Sequence, residues 1–293
     1  MKTIDEVDLM DDIFMNLVAS DPDVGEAFCK ILLSVLLQQK IEKVTVHVQR
    51  VLPGAGIDIR GIRLDVEVEE HIDDTIANVY DIEPHNRHTK DFGKMLRFRQ
   101  ARIDSRYMKS GDNDYSHLPN LYMILITDID YFGKDYMMYS FRNRCEEIPE
   151  LEYEDGLRFL YFYTKGTKGG SESIHNMLKY MQDSKQESAV DDATRELDRY
   201  VSDVRRDPEI RGNYMTFGDR IDWEKEMSRE EGREEGLKEG HKEGLKEGLK
   251  EGRQEGVSLL ADAIARIRKG STVEDLVKDG VDEKIAEIAW TCK

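Results

Sequence analysis

Arg63-Leu64-Asp65-Val66-Glu67-Val68-Glu69 and Ala77-Asn78-Val79-Tyr80-Asp81-Ile82-Glu83-Pro84-His85 alternate or run apolar with β-branched residues, and the polar stretch Glu70-His71-Ile72-Asp73-Asp74-Thr75 separates them. The pattern predicts two strands joined as a hairpin. With its midpoint near Asp74, Asp65 lies directly opposite Glu83. Opposed residues on antiparallel strands have Cβ atoms roughly 5 Å apart, near enough for two carboxylates to share one divalent cation. The face that carries Asp65 also carries Glu67 and Glu69, and a row of acids along a strand is ordinarily its solvated face.

Immediately after the hairpin the charge reverses. Arg87 to Lys109 holds eight Lys and Arg against two Asp, a local +6 in a chain whose formal net charge is −18. The whole-chain charge argues against indiscriminate attachment to nucleic acid, but a local patch suffices for docking. Lys90 to Met108 reads as a helix on which Arg99, Arg102 and Arg106 form one basic stripe and Lys90, Lys94 and Arg97 another. Such stripes either face a phosphate backbone or form a solvated face with occasional ion pairs.

Working outward, Asp21 to Gln38 carries an apolar stripe at helical spacing (Val24, Phe28, Ile31, Leu32, Val35, Leu36), with Asp21-Pro22-Asp23 as its start signal. Lys43 to Leu52 reads as a strand that runs into a loop at Pro53-Gly54-Ala55-Gly56. Downstream, Leu121 to Thr127 is nearly continuous apolar sequence, the mark of a buried central strand, and Met137 to Phe141 and Arg158 to Tyr163 supply two more. A helix, three strands, a helix and further strands predict an α/β fold, a mixed β-sheet flanked by helices.

The chain has 293 residues, 39% hydrophobic and 35% charged, the balance of a soluble protein. The run Ile31-Leu32-Leu33-Ser34-Val35-Leu36-Leu37 falls far short of the roughly 20 residues a membrane span needs. Met1-Lys2-Thr3-Ile4-Asp5-Glu6 lacks the features of a signal peptide, so a cytoplasmic location is expected. Cys29, Cys145 and Cys292 are too few and too scattered for a disulfide framework or a structural zinc site. There is no phosphate-cradling glycine loop and no evident serine, histidine and acid arrangement.

Beyond Ser173 the pattern is helical. From Glu231-Gly232 to Glu255-Gly256, glycine recurs at seven consecutive fourth positions. Gly costs about 1 kcal/mol per helical position relative to Ala, more than the ~0.2–0.5 kcal/mol of each Glu–Lys pair in the repeat, so this helix is marginal alone. A line of glycines also lets two helices approach closely, which leaves homo-oligomer formation through the C-terminal helices and a solvated spacer as the two readings. Ser271-Thr272-Val273-Glu274 is a capping box that starts a further short helix.

In order, Arg63-Leu64-Asp65-Val66, Val79-Tyr80-Asp81-Ile82-Glu83, Arg97-Phe98-Arg99-Gln100-Ala101-Arg102-Ile103-Asp104, Leu118-Pro119 with the strand to Thr127-Asp128, Asp130-Tyr131-Phe132-Gly133 and Tyr139-Ser140-Phe141-Arg142-Asn143-Arg144-Cys145-Glu146 resemble the PD-(D/E)XK nuclease family transposases, the recombination-promoting nuclease group of bacteria. The match covers roughly residues 1 to 182, and Glu-Gly helical tails are common in that group. The resemblance implies a restriction-endonuclease-like core over 1–182, and the pattern beyond it divides into a helical extension over 183–222, the Glu-Gly repeat as helix or spacer over 223–257 and a small helical segment over 258–293.

The same resemblance implies a Mg²⁺-dependent DNA endonuclease, with Mn²⁺ as an alternative ion. Asp65 and Glu83 are the implied metal ligands. The position that holds Lys or Gln in that group corresponds to His85, which brings no fixed charge, and Pro84 beside it removes a strand donor. A helical acid upstream often completes such sites, and Glu26 is the candidate. Arg97, Arg99 and Arg102 are the candidates for contacting DNA phosphates or bracing the site. The departures at Pro84 and His85 favour the alternative, a catalytically inactive nuclease-fold protein acting in DNA binding or helical self-assembly.

Overall fold

The computed structural model describes residues 3–52, 62–108, 111 and 113–292, without the side chains of 217–228, 231, 234 and 235. The expected loop at Pro53-Gly54-Ala55-Gly56 and the end of the basic stretch at Lys109 lie outside the described residues. The chain divides into two units, Met1–Asp219 and Arg220–Lys293.

The first unit opens with two helices, α1 (Asp12–Ser20) and α2 (Gly25–Leu37). Only the second of these is legible in the sequence. Asp11 caps α1 by accepting from the Phe14 backbone N–H at 3.0 Å. The corner between the helices is tight: a Cβ on Gly25 would lie 2.3 Å from the Ala19 carbonyl oxygen, so only glycine fits.

Three antiparallel strands follow, β1 (Lys43–Leu52), β2 (Ile62–Ile72) and β3 (Thr75–His85), then α3 (Phe92–Tyr107). The β2–β3 turn is tighter than the polar stretch suggested. Asp73 and Asp74 both adopt positive φ, 48° and 60°, which matches the right-handed twist of the flanking strands. β4 (Asn120–Thr127), β5 (Met138–Phe141) and β6 (Leu157–Tyr163) complete a six-stranded sheet of order β1-β2-β3-β4-β6-β5. β4 runs parallel to both β3 and β6, so the sheet is mixed, and β4 is buried along nearly its whole length.

The sheet separates two apolar cores. Val66, Val68, Tyr80, Ile82, Ile124 and Phe162 face α1, α2, α4 (Glu172–Asp183) and α5 (Asp192–Arg206). Val79, Leu121, Met123 and Leu125 face Leu96 and Ile103 of α3. Leu197, Val201 and Val204 of α5 are fully buried in the first core together with Tyr214. Helix α5, beyond the expected boundary at residue 182, supplies apolar cover to α1 and α2, and the first unit runs to Asp219.

Helix α6 (Pro208–Arg268) includes the Glu-Gly repeat, so the repeat is helical, with Leu237, Leu245 and Leu249 exposed. In the second unit, α7 (Val273–Lys278) and α8 (Glu283–Thr291) close a small core of Ala263, Ile267, Leu276, Ala286 and Ala289. The capping box there is shifted by one residue, with Thr272 as the cap and Asp275 as its reciprocal partner. No described helix is long and apolar enough to cross a membrane.

Candidate metal centre

Hairpin register builds the site. Val66 pairs with Ile82 and Glu67 with Asp81, and the same register carried one step further sets Asp65 against Glu83. The two carboxyls are close enough for each to shift the ionisation of the other. Two partly buried carboxyls so close together cannot both ionise cheaply. Burial pushes Asp65 up to about 6, and burial together with the neighbouring acids pushes Glu83 up to about 9, so the pair holds one proton at neutral pH.

Among the described residues one cation serves this group. Arg99, turned inward from α3 with its side chain 8% exposed, donates from Nε and Nη2 to the two Asp81 carboxylate oxygens at 3.1 Å each and from Nη1 to the Arg63 carbonyl at 3.1 Å. Its Nη2 also stands 2.6 Å from Glu83 Oε2. That oxygen is within ion-pair range but off the hydrogen-bond direction. Asp65, Asp81 and Glu83 thus face one guanidinium. The excess of carboxylate oxygen in a partly buried setting suits a hard divalent cation, which would take the place of the shared proton.

His85 does not aim at the pair. Its Nε2 is hydrogen-bonded to Thr89 Oγ1 at 3.0 Å, and burial lowers its pKa, so the ring is neutral at pH 7. Glu26 is exposed in the first turn of α2, and its charge acts on Cys29 instead. The upstream helical acid whose charge reaches Asp65 is Asp12, in the first turn of α1. Sequence reading missed Asp12 because it missed α1.

The basic helix is also redistributed. Arg97 is exposed and Arg102 half-buried, but Arg99 and Arg106 point into the sheet. Arg106 binds Glu67 Oε1 at 2.8 Å and Glu69 Oε1 at 2.7 Å, Arg50 bonds the same two acids, and the Tyr107 hydroxyl donates to Glu69 at 3.0 Å. The acids expected on a solvated face are therefore buried, Glu67 completely. Of the stripe Arg99, Arg102 and Arg106, two members neutralise the sheet and are not available to phosphate.

A second cluster with metal-ligand spacing lies on β1 and β2. His47 pairs with Glu67 across the strands, and potential ligand atoms of His47, Glu67 and Glu69 lie within 4.8 Å of one another. His47 Nε2 is 3.3 Å from Glu69 Oε2. Two arginines already balance the two glutamates here, so a cation would compete with guanidinium groups. At Asp65 and Glu83 it would compete with a proton. No signal in the sequence marks His47, since only the β1–β2 register brings it to Glu67.

Comparison of the chain with protein-family profiles, curated proteins and solved structures finds no match.

Proposed function

We propose that the chain is a divalent-metal-dependent DNA endonuclease with a restriction-endonuclease-like core, of the recombination-promoting type that its motifs resemble. The observation that carries this reading is the strand register that sets Asp65 opposite Glu83 on adjacent antiparallel strands, where each carboxyl shifts the other's ionisation. The strand order supports it, with three antiparallel strands, a helix and a return strand parallel to the third.

Asp65 and Glu83 would hold Mg²⁺ or Mn²⁺, and the charge of Asp12 adds to the negative field at Asp65. When bound, the ion supplies polarisation of a phosphoryl oxygen and a more acidic attacking water. Arg99 orients Glu83 and limits the repulsion among the three acids. In this chain the positive charge beside the second acid comes from α3, where the motif's Lys would bring it from β3. His85, neutral and tied to Thr89, helps fix the loop that leads into α3. Arg97 and Arg102 remain the candidates for phosphate contact.

The test is cleavage of supercoiled plasmid by the purified chain with Mg²⁺, Mn²⁺, Ca²⁺ or EDTA, beside Asp65→Ala and Glu83→Ala. Cutting is expected only with Mg²⁺ or Mn²⁺ and only with both carboxylates. A folded protein that cuts under no condition would favour the second reading, a nuclease-fold DNA-binding or self-assembling protein without catalysis. The neutral, tethered His85 is the observation on that side.

A further inference from the structure

Beside the carboxylate pair lies a cleft of about 770 Å³ formed by Ile62 and Arg63 at the start of β2, Thr89 to Asp91, and Lys94, Met95, Phe98 and Arg99 of α3. Its volume falls in the ~300–1,000 Å³ range of small-ligand sites. It adjoins the candidate centre through two shared residues: Arg99, which pins Glu83, and Thr89, which binds His85.

Two properties of the cleft identify an occupant. Its floor is apolar, made by Ile62, Met95 and Phe98, and Phe98 keeps 39% of its surface exposed. Its rim is cationic. Lys94 is paired with Asp91 at 3.3 Å, while Arg63 and Lys90 form no ion pair among the described residues. A cationic rim in a chain of net charge −18 selects an anion, and an exposed aromatic floor selects a flat apolar ring. A nucleotide unites both. Paired duplex would satisfy the rim alone, because its bases are covered in the stack, whereas an unpaired base presents a free π-face to an aromatic side chain.

We propose that this cleft receives an unpaired nucleotide next to the scissile phosphate, with its base on Phe98 and its backbone on Arg63 and Lys90, so that the substrate is DNA carrying an unpaired base. The proposal rests on the endonuclease reading for its scissile bond, but not for its occupant.

The experiment uses the full chain and two oligonucleotide duplexes that differ only in one position, 2-aminopurine being paired in one and unpaired in the other. In Ca²⁺, the unpaired probe is expected to bind about tenfold more tightly and to lose fluorescence as its base stacks. Phe98→Ala should abolish the quenching and bring the two affinities together, Phe98→Trp should restore both, and an unchanged thermal midpoint will show that the fold is kept. Lys90→Glu, a second surface variant, should weaken the unpaired probe more than the paired one.

Equal affinity for the two DNAs, or a preference that survives Phe98→Ala, overturns the proposal. Mg²⁺ arms separate the two readings. Preference and quenching without cleavage of either DNA would overturn the endonuclease and leave the cleft's occupant standing, and equal cutting of both DNAs without quenching would do the reverse. Absence of DNA binding overturns both.

Discussion

Arg99 Nη2 stands 2.6 Å from Glu83 Oε2, although the arginine comes from α3 and the glutamate from β3. The same guanidinium grips Asp81 with two bonds, so one cation is shared among acids at alternate positions of a single strand. This geometry makes α3 part of the candidate centre: any shift of the helix moves the charge that holds Glu83. It also leaves the group acid-rich, and that excess sets how it should respond to mutation, pH and metal.

Arg99→Met keeps most of the side chain's volume but strips the compensating charge from buried Asp81, Glu83 beside it already holding a proton at pH 7. Breaking a buried pair in this way costs about 3–5 kcal/mol. Urea denaturation at pH 7 should show a loss of that size, and a smaller one at pH 5, where Asp65 has taken up a proton as well. A loss under about 1 kcal/mol at pH 7 would contradict the pairing.

Glu83 is raised from an ordinary value of 4.5 to about 9, so between those values the folded chain holds a proton that the unfolded chain has released. The unfolded state binds fewer protons there, and stability falls as pH rises through this window. Glu83→Gln removes the titrating group. The variant should therefore gain stability on wild type as pH increases from 5 to 9, measured by thermal midpoints across the range. A constant difference would show that Glu83 titrates normally.

Metal binding follows from the same proton. A divalent cation at Asp65 and Glu83 must displace it, so affinity for Mn²⁺ should rise with pH between about 6 and 9, by up to tenfold per unit, with proton release. Calorimetry in buffers of different ionisation enthalpy reads both. Asp65→Asn should abolish the pH-dependent component. Retention of full affinity in that variant, with loss in His47→Ala, would move the ion to the cluster on β1 and β2.

Residues 1–182 alone should fail to fold cooperatively, whereas residues 1–219 should unfold in one transition. Leu197, Val201 and Val204 are fully buried against the first helices, and without them that apolar face is open to water. Within the whole chain, Leu197→Ala should cost about 2–5 kcal/mol. Cooperative unfolding of the shorter piece would return the boundary to residue 182.

In the Glu-Gly helix, an added Cβ at Gly240, Gly244 or Gly248 meets nothing within 4 Å. Each Gly→Ala change should therefore strengthen the helix by about 1 kcal/mol. Circular dichroism of the triple variant should show greater helicity on heating. If the glycines serve instead as a close-packing seam between copies, the same variant will lower the apparent mass in sedimentation.

The sequence alone pointed to the hairpin and to Asp65 opposite Glu83, because strand period, β-branching and a polar turn are properties of near neighbours, but a one-residue register shift between Glu70 and His71, which no local pattern marks, completes that alignment. It determined the buried central strand at Leu121 to Thr127 and the helix at Lys90 to Met108 for the same reason. Helix α1 escaped it, since the stronger start signal at Asp21-Pro22-Asp23 drew the reading past Asp12 to Ser20. Only the tertiary structure decided which way the charges turn. Glu67 and Glu69 are inward because Arg50 and Arg106 come from other elements to meet them, and Arg99 is inward because Asp81 and Glu83 await it. A charged residue faces water or core according to whether a partner from elsewhere in the chain offsets its desolvation, and no local pattern records that partner.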